Sequence, residues 1–164
     1  ALSHPDLYAL DVLASVVGQG RSSRLHETIV RKKRLADSIG AGNYTPQDPA
    51  AFSISLRTSP GGIPAAVEAV LEVVERVKQK GITEQELQKA KRQVVASFVF
   101  HRQTIESKVD DLANSAASTG DPMFSARYVE GVEYRCLVLN GLTVSQQKKV
   151  LSPTEHHPWK SKRI

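Results

Sequence analysis

The stretch Ala51-Phe52-Ser53-Ile54-Ser55-Leu56-Arg57, continuing through Thr58-Ser59-Pro60-Gly61-Gly62 into Ile63-Pro64 and on to Lys80, decides the fold class, because the apolar period changes inside it. Phe52, Ile54 and Leu56 alternate with Ser53, Ser55 and Arg57. That period of two belongs to a strand with one covered and one wetter face. Ser59-Pro60-Gly61-Gly62 ends the strand, and Pro64 starts a helix with Val67, Val70, Leu71, Val74 and Val77 on one stripe. Gly81 terminates it. A half-covered strand followed by an amphipathic helix is the local unit of a helix-on-sheet layer.

Working outward, Leu35 through Tyr44 is small and β-compatible, and the turn-rich Thr45-Pro46-Gln47-Asp48-Pro49 joins it to the strand above. Ser3 with Asp6 opens an earlier helix carrying Leu7, Leu10, Ala14 and Val17, which stops at Gly18. After Gly18-Gln19-Gly20, Ser22 or Ser23 is expected to cap a second helix bearing Leu25 and Ile29. Downstream, Thr83 and Glu86 form a capping box for a long helix with Leu87, Ala90, Val94 and Phe98 facing inward. Thr104 caps a helix with Ile105, Val109, Leu112 and Ala116, ended by Gly120, and Asp121-Pro122 starts another with Phe124, Tyr128 and Val132. Paired strands followed by a block of helices predict an α+β fold, an antiparallel sheet covered on one face by helices.

At 164 residues the chain is the size of one domain and needs no covalent staple. The single cysteine, Cys136, excludes an intrachain disulfide and a zinc ribbon. No apolar run approaches the roughly 20 residues that span a bilayer, and Ala1-Leu2-Ser3-His4-Pro5 lacks the pattern of a leader. The chain begins without methionine directly at a helix signal, which leads us to expect further sequence upstream. Much of the +5 net charge comes from Lys148, Lys149, Lys160, Lys162 and Arg163, so the body is nearly neutral. Arg31-Lys32-Lys33-Arg34 sits at an expected helix end, where cations are favoured.

Chemistry is sparse. His4, His26 and His101 stand apart, His156-His157 lies among prolines near the end, and neither H-E-x-x-H nor its inversion occurs, so no metal site is expected in this chain. There is no G-x-S-x-G, and Ser22 and Ser23 have His26 only as a helix neighbour. Gly18-Gln19-Gly20-Arg21-Ser22-Ser23 lacks the G-K-[ST] ending of a phosphate loop. No catalytic residue is expected.

The run His4-Pro5-Asp6-Leu7-Tyr8-Ala9-Leu10, then Gly18-Gln19-Gly20-Arg21-Ser22-Ser23-Arg24-Leu25, Val30-Arg31 through Lys33, Leu35-Ala36, Asp48-Pro49 to Phe52, Gly81-Ile82-Thr83, Glu86-Leu87, Ala90-Lys91 and Gly120-Asp121-Pro122 resembles the second half of zinc peptidases of the pitrilysin and insulinase kind (peptidase M16). The resemblance covers roughly residues 4 to 132. It implies one of two similar α+β halves that close as a clamshell around unstructured peptide, with zinc and general base in the other half. This chain would then be inactive alone, hold no cofactor, and partner a catalytic half in the same polypeptide or in a separate subunit.

The resemblance places Gly18, Gly20, Arg21, Ser22, Ser23 and Arg24 in a short version of the glycine-rich loop implicated in substrate recognition in the α subunit of mitochondrial processing peptidase. Exposed amides and Arg21 or Arg24 would hold peptide carbonyls or a carboxylate; the plainer alternative is a helix-to-helix connection. An arginine and a tyrosine that many second halves aim at the scissile carbonyl are replaced by Val30 and Asp37, neither of which can donate to an oxyanion at neutral pH. Residues 1–134 are expected to form the domain, incomplete at its N-terminal strand. Residues 135–164 read as a divergent basic tail, disordered after Leu151.

Two other readings remain: a non-enzymatic subunit or scaffold of a two-chain assembly, and a basic nucleic-acid-binding module, against which the neutral body argues. Neither nucleic acid nor membrane insertion is expected. Open sheet edges predict a dimer of the isolated chain. The resemblance leaves the compartment open, with the bacterial periplasm slightly ahead of the cytoplasm.

Overall fold

The structure is a computed structural model that describes the backbone of residues 6–45 and 51–140 and their side chains as far as residue 133. Ser3, Pro46 to Pro49 and the basic tail from residue 141 lie outside the described residues. Helix α1 (Leu7–Gly18) is the hub. Leu7, Ala14 and Val17 are buried as the periodicity predicts, but so are Val12, Ser15 and Val16. A helix apolar on two faces packs on two sides. Val17 joins Leu25, Ile29, Ala36, Ala69, Val70 and Val73 in one core, whereas Val12 and Val16 join Leu87, Ala90 and Val132 in the other.

Strands β1 (Ser38–Tyr44) and β2 (Ala51–Arg57) pair antiparallel from Ser38 opposite Arg57 to Tyr44 opposite Ala51. Ile39, Ala41, Ile54 and Leu56 pack on the first core. Alternation sends Ser38, Gly40, Gly42, Ser53 and Ser55 to the other face. Asp11 ties α1 to both neighbours, its carboxylate accepting from Asn43 Nδ2 at 2.9 Å and the Tyr128 hydroxyl at 2.6 Å. Burial pushes the Asp11 carboxyl up, and those two bonds pull against it.

Between α1 and β1 the chain forms a π-helical segment (His26–Lys32), with Leu25 and Ile29 fully buried. The expected serine cap is not made. Ser22 Oγ accepts instead from the Lys89 ammonium, and Ser23 Oγ is buried with no hydrogen-bond partner. The basic run is solvated and partly paired, Arg31 with Glu27 at 2.9 Å and Lys33 with Glu72 at 2.7 Å. Arg34 takes φ +51°, a left-handed conformation that costs an L-residue roughly 1–2 kcal/mol. After the entropy glycine adds to the unfolded chain, Arg34→Gly is expected to raise stability by about 0.5–1 kcal/mol. Urea denaturation checks this, and a lowered midpoint would contradict it.

Helix α2 (Ile63–Lys80) corrects the predicted stripe. Its buried residues are Ala66, Ala69, Val70 and Val73, while Val67 is exposed and Leu71 is 61% exposed. The contact line runs over the alanines, whose small side chains let the helix sit close to its neighbours, with Val74 and Val77 at its edge. Gly81 ends the helix at φ +68°.

Helix α3 (Glu84–His101) has the expected capping box, Glu86 N–H to Thr83 Oγ1 at 3.3 Å and Thr83 N–H to Glu86 Oε2 at 2.8 Å. Leu87 and Ala90 are buried, and Val94 borders the second core. Phe98 is half-buried, with the Arg102 guanidinium 5.0 Å from its ring centre. Helix α4 (Ile105–Thr119) starts in a Thr104–Ser107 capping box and ends at Gly120, φ +75°. The expectation that Ile105 and Val109 face inward is overturned: they are 77% and 57% exposed. Among described residues α4 buries only Ser115, which bonds Ser125 of α5 at 2.8 Å. Helix α5 (Phe124–Asn140) seats Val132 in the second core and packs Tyr128 against Tyr8, ring centres 5.4 Å apart and planes tilted by 39°. Its backbone continues past residue 134, across the expected start of the tail. No helix among the described residues is long and apolar enough to cross a membrane.

Candidate functional site

The residues expected to bind peptide do lie together, in the turn between α1 and the π-helical segment. Gly18 is there for close approach, since a Cβ on it would stand 2.2 Å from the Ala41 amide nitrogen. Gly20 takes φ +80°, and its carbonyl accepts from Ser23 N–H at 3.2 Å, closing the turn. Gln19, Gly20, Arg21 and Ser22 are exposed, and Ser23 is buried.

Arg24 is not a free cation. Its Nε and an Nη donate to the two carboxylate oxygens of Glu86 at 2.6 and 2.7 Å, a bidentate fork. Those bonds, the leading cause, and the Thr83 cap hold the Glu86 carboxyl down to about 2, against some desolvation. Ser15 Oγ to Gln93 at 3.3 Å and Lys89 to Ser22 add further ties. The loop is therefore clamped to the first turns of α3, and of its two arginines Arg21 is the one left at the surface. No local pattern signals this clamp, because Arg24 and Glu86 are 62 positions apart.

Val30 is half-buried within the π-helical segment, and Asp37 is exposed just before β1, its N–H donating to the Arg57 carbonyl at 2.9 Å. A valine side chain has no polar donor, and a carboxylate accepts without donating. Among the described residues no group of three or more His, Cys, Asp and Glu side chains stands where a metal could be held. Ser23 and His26 do not form a nucleophile pair, as Ser23 Oγ and His26 Nδ1 are both buried without a hydrogen-bond partner.

The sequence profile described as the peptidase M16 inactive domain matches residues 1–94. This chain belongs to that family. It is 33% identical over 111 residues to the zinc protease PqqE of Helicobacter pylori, covering 67% of this chain and 24% of PqqE. Among solved structures it resembles a protease from Helicobacter pylori, with a TM-score of 0.74, 28% identity and coverage of 92% of this chain and 35% of that one. The peptidase M16 inactive domain from Pseudomonas fluorescens shares the fold, with a TM-score of 0.72 at 22% identity, over 93% of this chain and 35% of that one. The chain spans about a quarter of the length of the curated relatives that it matches. It is thus an M16 inactive domain corresponding to part of larger zinc proteases, with the α+β architecture expected from the alternating strand and the helices after it.

Proposed function

We propose that this M16 inactive domain is the non-catalytic half of a zinc endopeptidase and forms the side of a peptide-enclosing chamber opposite a zinc-bearing half. The observation that carries this reading is the sheet face opposite the helices, on which Ser53 and Ser55 are exposed among the described residues. Helices cover the Ile39, Ala41, Ile54 and Leu56 side, while Ser38, Gly40, Gly42, Ser53 and Ser55 lie on the other. The glycines and serines in the middle of that face, between Tyr44 with Ala51 at one end and Arg57 at the other, leave shallow room for an extended peptide to lie across it with little regard to its sequence. Val30 and Asp37 support a binding role without direct stabilisation of an oxyanion. Zinc and the general base belong, in this reading, to the other half.

The test measures fluorescence anisotropy of a labelled, unstructured peptide with the 164-residue chain and with the variant Ser53→Arg/Ser55→Glu, whose bulky charges sit on the open face. Binding without turnover, weakened in the variant, is expected. Equal binding by both proteins would remove the sheet face from the function. The scaffold reading predicts instead association with a zinc-bearing half and no peptide affinity in the isolated chain.

A further inference from the structure

Lysine is rarely buried unless its ammonium is paired, because the charge loses hydration. Lys91 on α3 is only 7% exposed. Its ammonium donates to the backbone carbonyl of Glu133 on α5 at 3.2 Å, one acceptor among the described residues for a group with three donors. Among the described residues neither Lys91 nor the adjacent, exposed Arg92 forms an ion pair. Both line a groove of about 450 Å³ together with Gln88, Val95, Ala96 and Glu133. That volume lies within the ordinary range of small-molecule sites.

The chemistry of the groove is asymmetric. Among the described lining residues two, Lys91 and Arg92, are cationic and one, Glu133, is anionic, so their balance is positive, and Val95 and Ala96 supply an apolar surface beside them. A bare inorganic anion would satisfy the charge and leave the apolar surface wet. An anion on an aliphatic stem satisfies both. We propose that the α3–α5 groove binds a carboxylate carried on a short aliphatic stem, the chemistry of a glutamate side chain or of a peptide's carboxyl terminus, with the Lys91 ammonium as its partner and Arg92 assisting at the mouth. This site lies in the helical layer, on residues separate from the sheet face and from the Gly18–Arg24 turn, and it stands independently of the chamber reading.

The test is a titration of the 164-residue chain followed by backbone amide NMR shifts, using three probes. N-acetylglutamate α-amide presents the side-chain carboxylate, N-acetylalanylalanine the terminal one, and N-acetylglutamine α-amide is the neutral isostere. At least one carboxylate probe is expected to shift amides of residues 88–96 and 133 and to bind about tenfold or more tightly than the neutral probe. The stronger of the two identifies the source of the carboxylate. Lys91→Met, which keeps the aliphatic stem, should weaken that binding by about tenfold. Arg92→Gln, an exposed change that leaves packing alone, should weaken it by about twofold to fivefold. Equal binding of the neutral probe, unchanged affinity in both variants, or no shifts in the wild-type chain would each overturn the proposal.

Discussion

Gly18→Ala is expected to cost about 3 kcal/mol of folding stability. A Cβ at that position would lie 2.2 Å from the amide nitrogen of Ala41, 2.4 Å from its Cβ and 2.7 Å from its Cα. These are backbone and first side-chain atoms, which no rotamer change can move aside. The end of α1 or the middle of β1 must shift, and both elements are fixed, α1 between two cores and β1 by its register with β2. Overpacking a core by one methyl group costs about 1–3 kcal/mol, and here the clash is with main chain, so the upper end applies. Gly42→Ala is the control in the same sheet, because nothing stands within 4 Å of its would-be Cβ. Urea denaturation followed by circular dichroism measures both. A Gly18→Ala chain within about 1 kcal/mol of wild type would show that α1 does not need this approach to β1.

Gly18 also shows what a sequence makes legible. As a helix stop it can be read from composition, since the apolar repeat ends there. That it is the point where a helix touches a strand depends on Ala41, and no periodicity connects the two. The same division runs through the chain. The Thr83–Glu86 and Thr104 caps, the glycine stops at Gly81 and Gly120 and the β2 alternation at Ile54 and Leu56 were readable because each is settled within a few residues, whereas Phe52, expected on the covered face, is 38% exposed because it lies beyond the edge of the first core.

Faces were less readable, because burial depends on which neighbour arrives. Helix α2 turns its alanines inward and leaves Leu71 out, and α4 exposes Ile105 and Val109 because its packing is confined to the side that meets α5. The turn from Gly18 to Arg24 could be found from its glycines and its likeness to a family, yet its clamp on α3 is a long-range ion pair. The buried ammonium of Lys91 was equally hidden, because a lysine in a helix reads as surface until α5 covers it.

That clamp is expected to make stability depend on acid in a particular way. In the folded chain the Glu86 carboxyl titrates at about 2, held down first by the Arg24 fork, against an ordinary value of 4.5. A depressed carboxyl contributes stability that is fully present above the unfolded value and is lost as pH falls through the folded one. The loss therefore runs from about pH 4.5 down to about pH 2. At face value the gap is worth about 3 kcal/mol. The two side chains are 24% and 30% exposed, so solvent screening reduces this to about 1–2 kcal/mol. Glu86→Gln, which removes the charge and retains an acceptor for the Thr83 cap, should be less stable than wild type by that amount at pH 7 and nearly equal to it near pH 2. Glu86→Ala should lose about 1 kcal/mol more at pH 7, the usual contribution of a cap. Combining Glu86→Gln with Arg24→Gln should show the two losses to be non-additive, since each single change already removes the fork. Urea midpoints from pH 7 to pH 2 measure wild type, Glu86→Gln, Glu86→Ala, Arg24→Gln and the double variant. A deficit in Glu86→Gln that stays constant across that range would mean that the fork contributes shape at this turn and no net charge stabilisation.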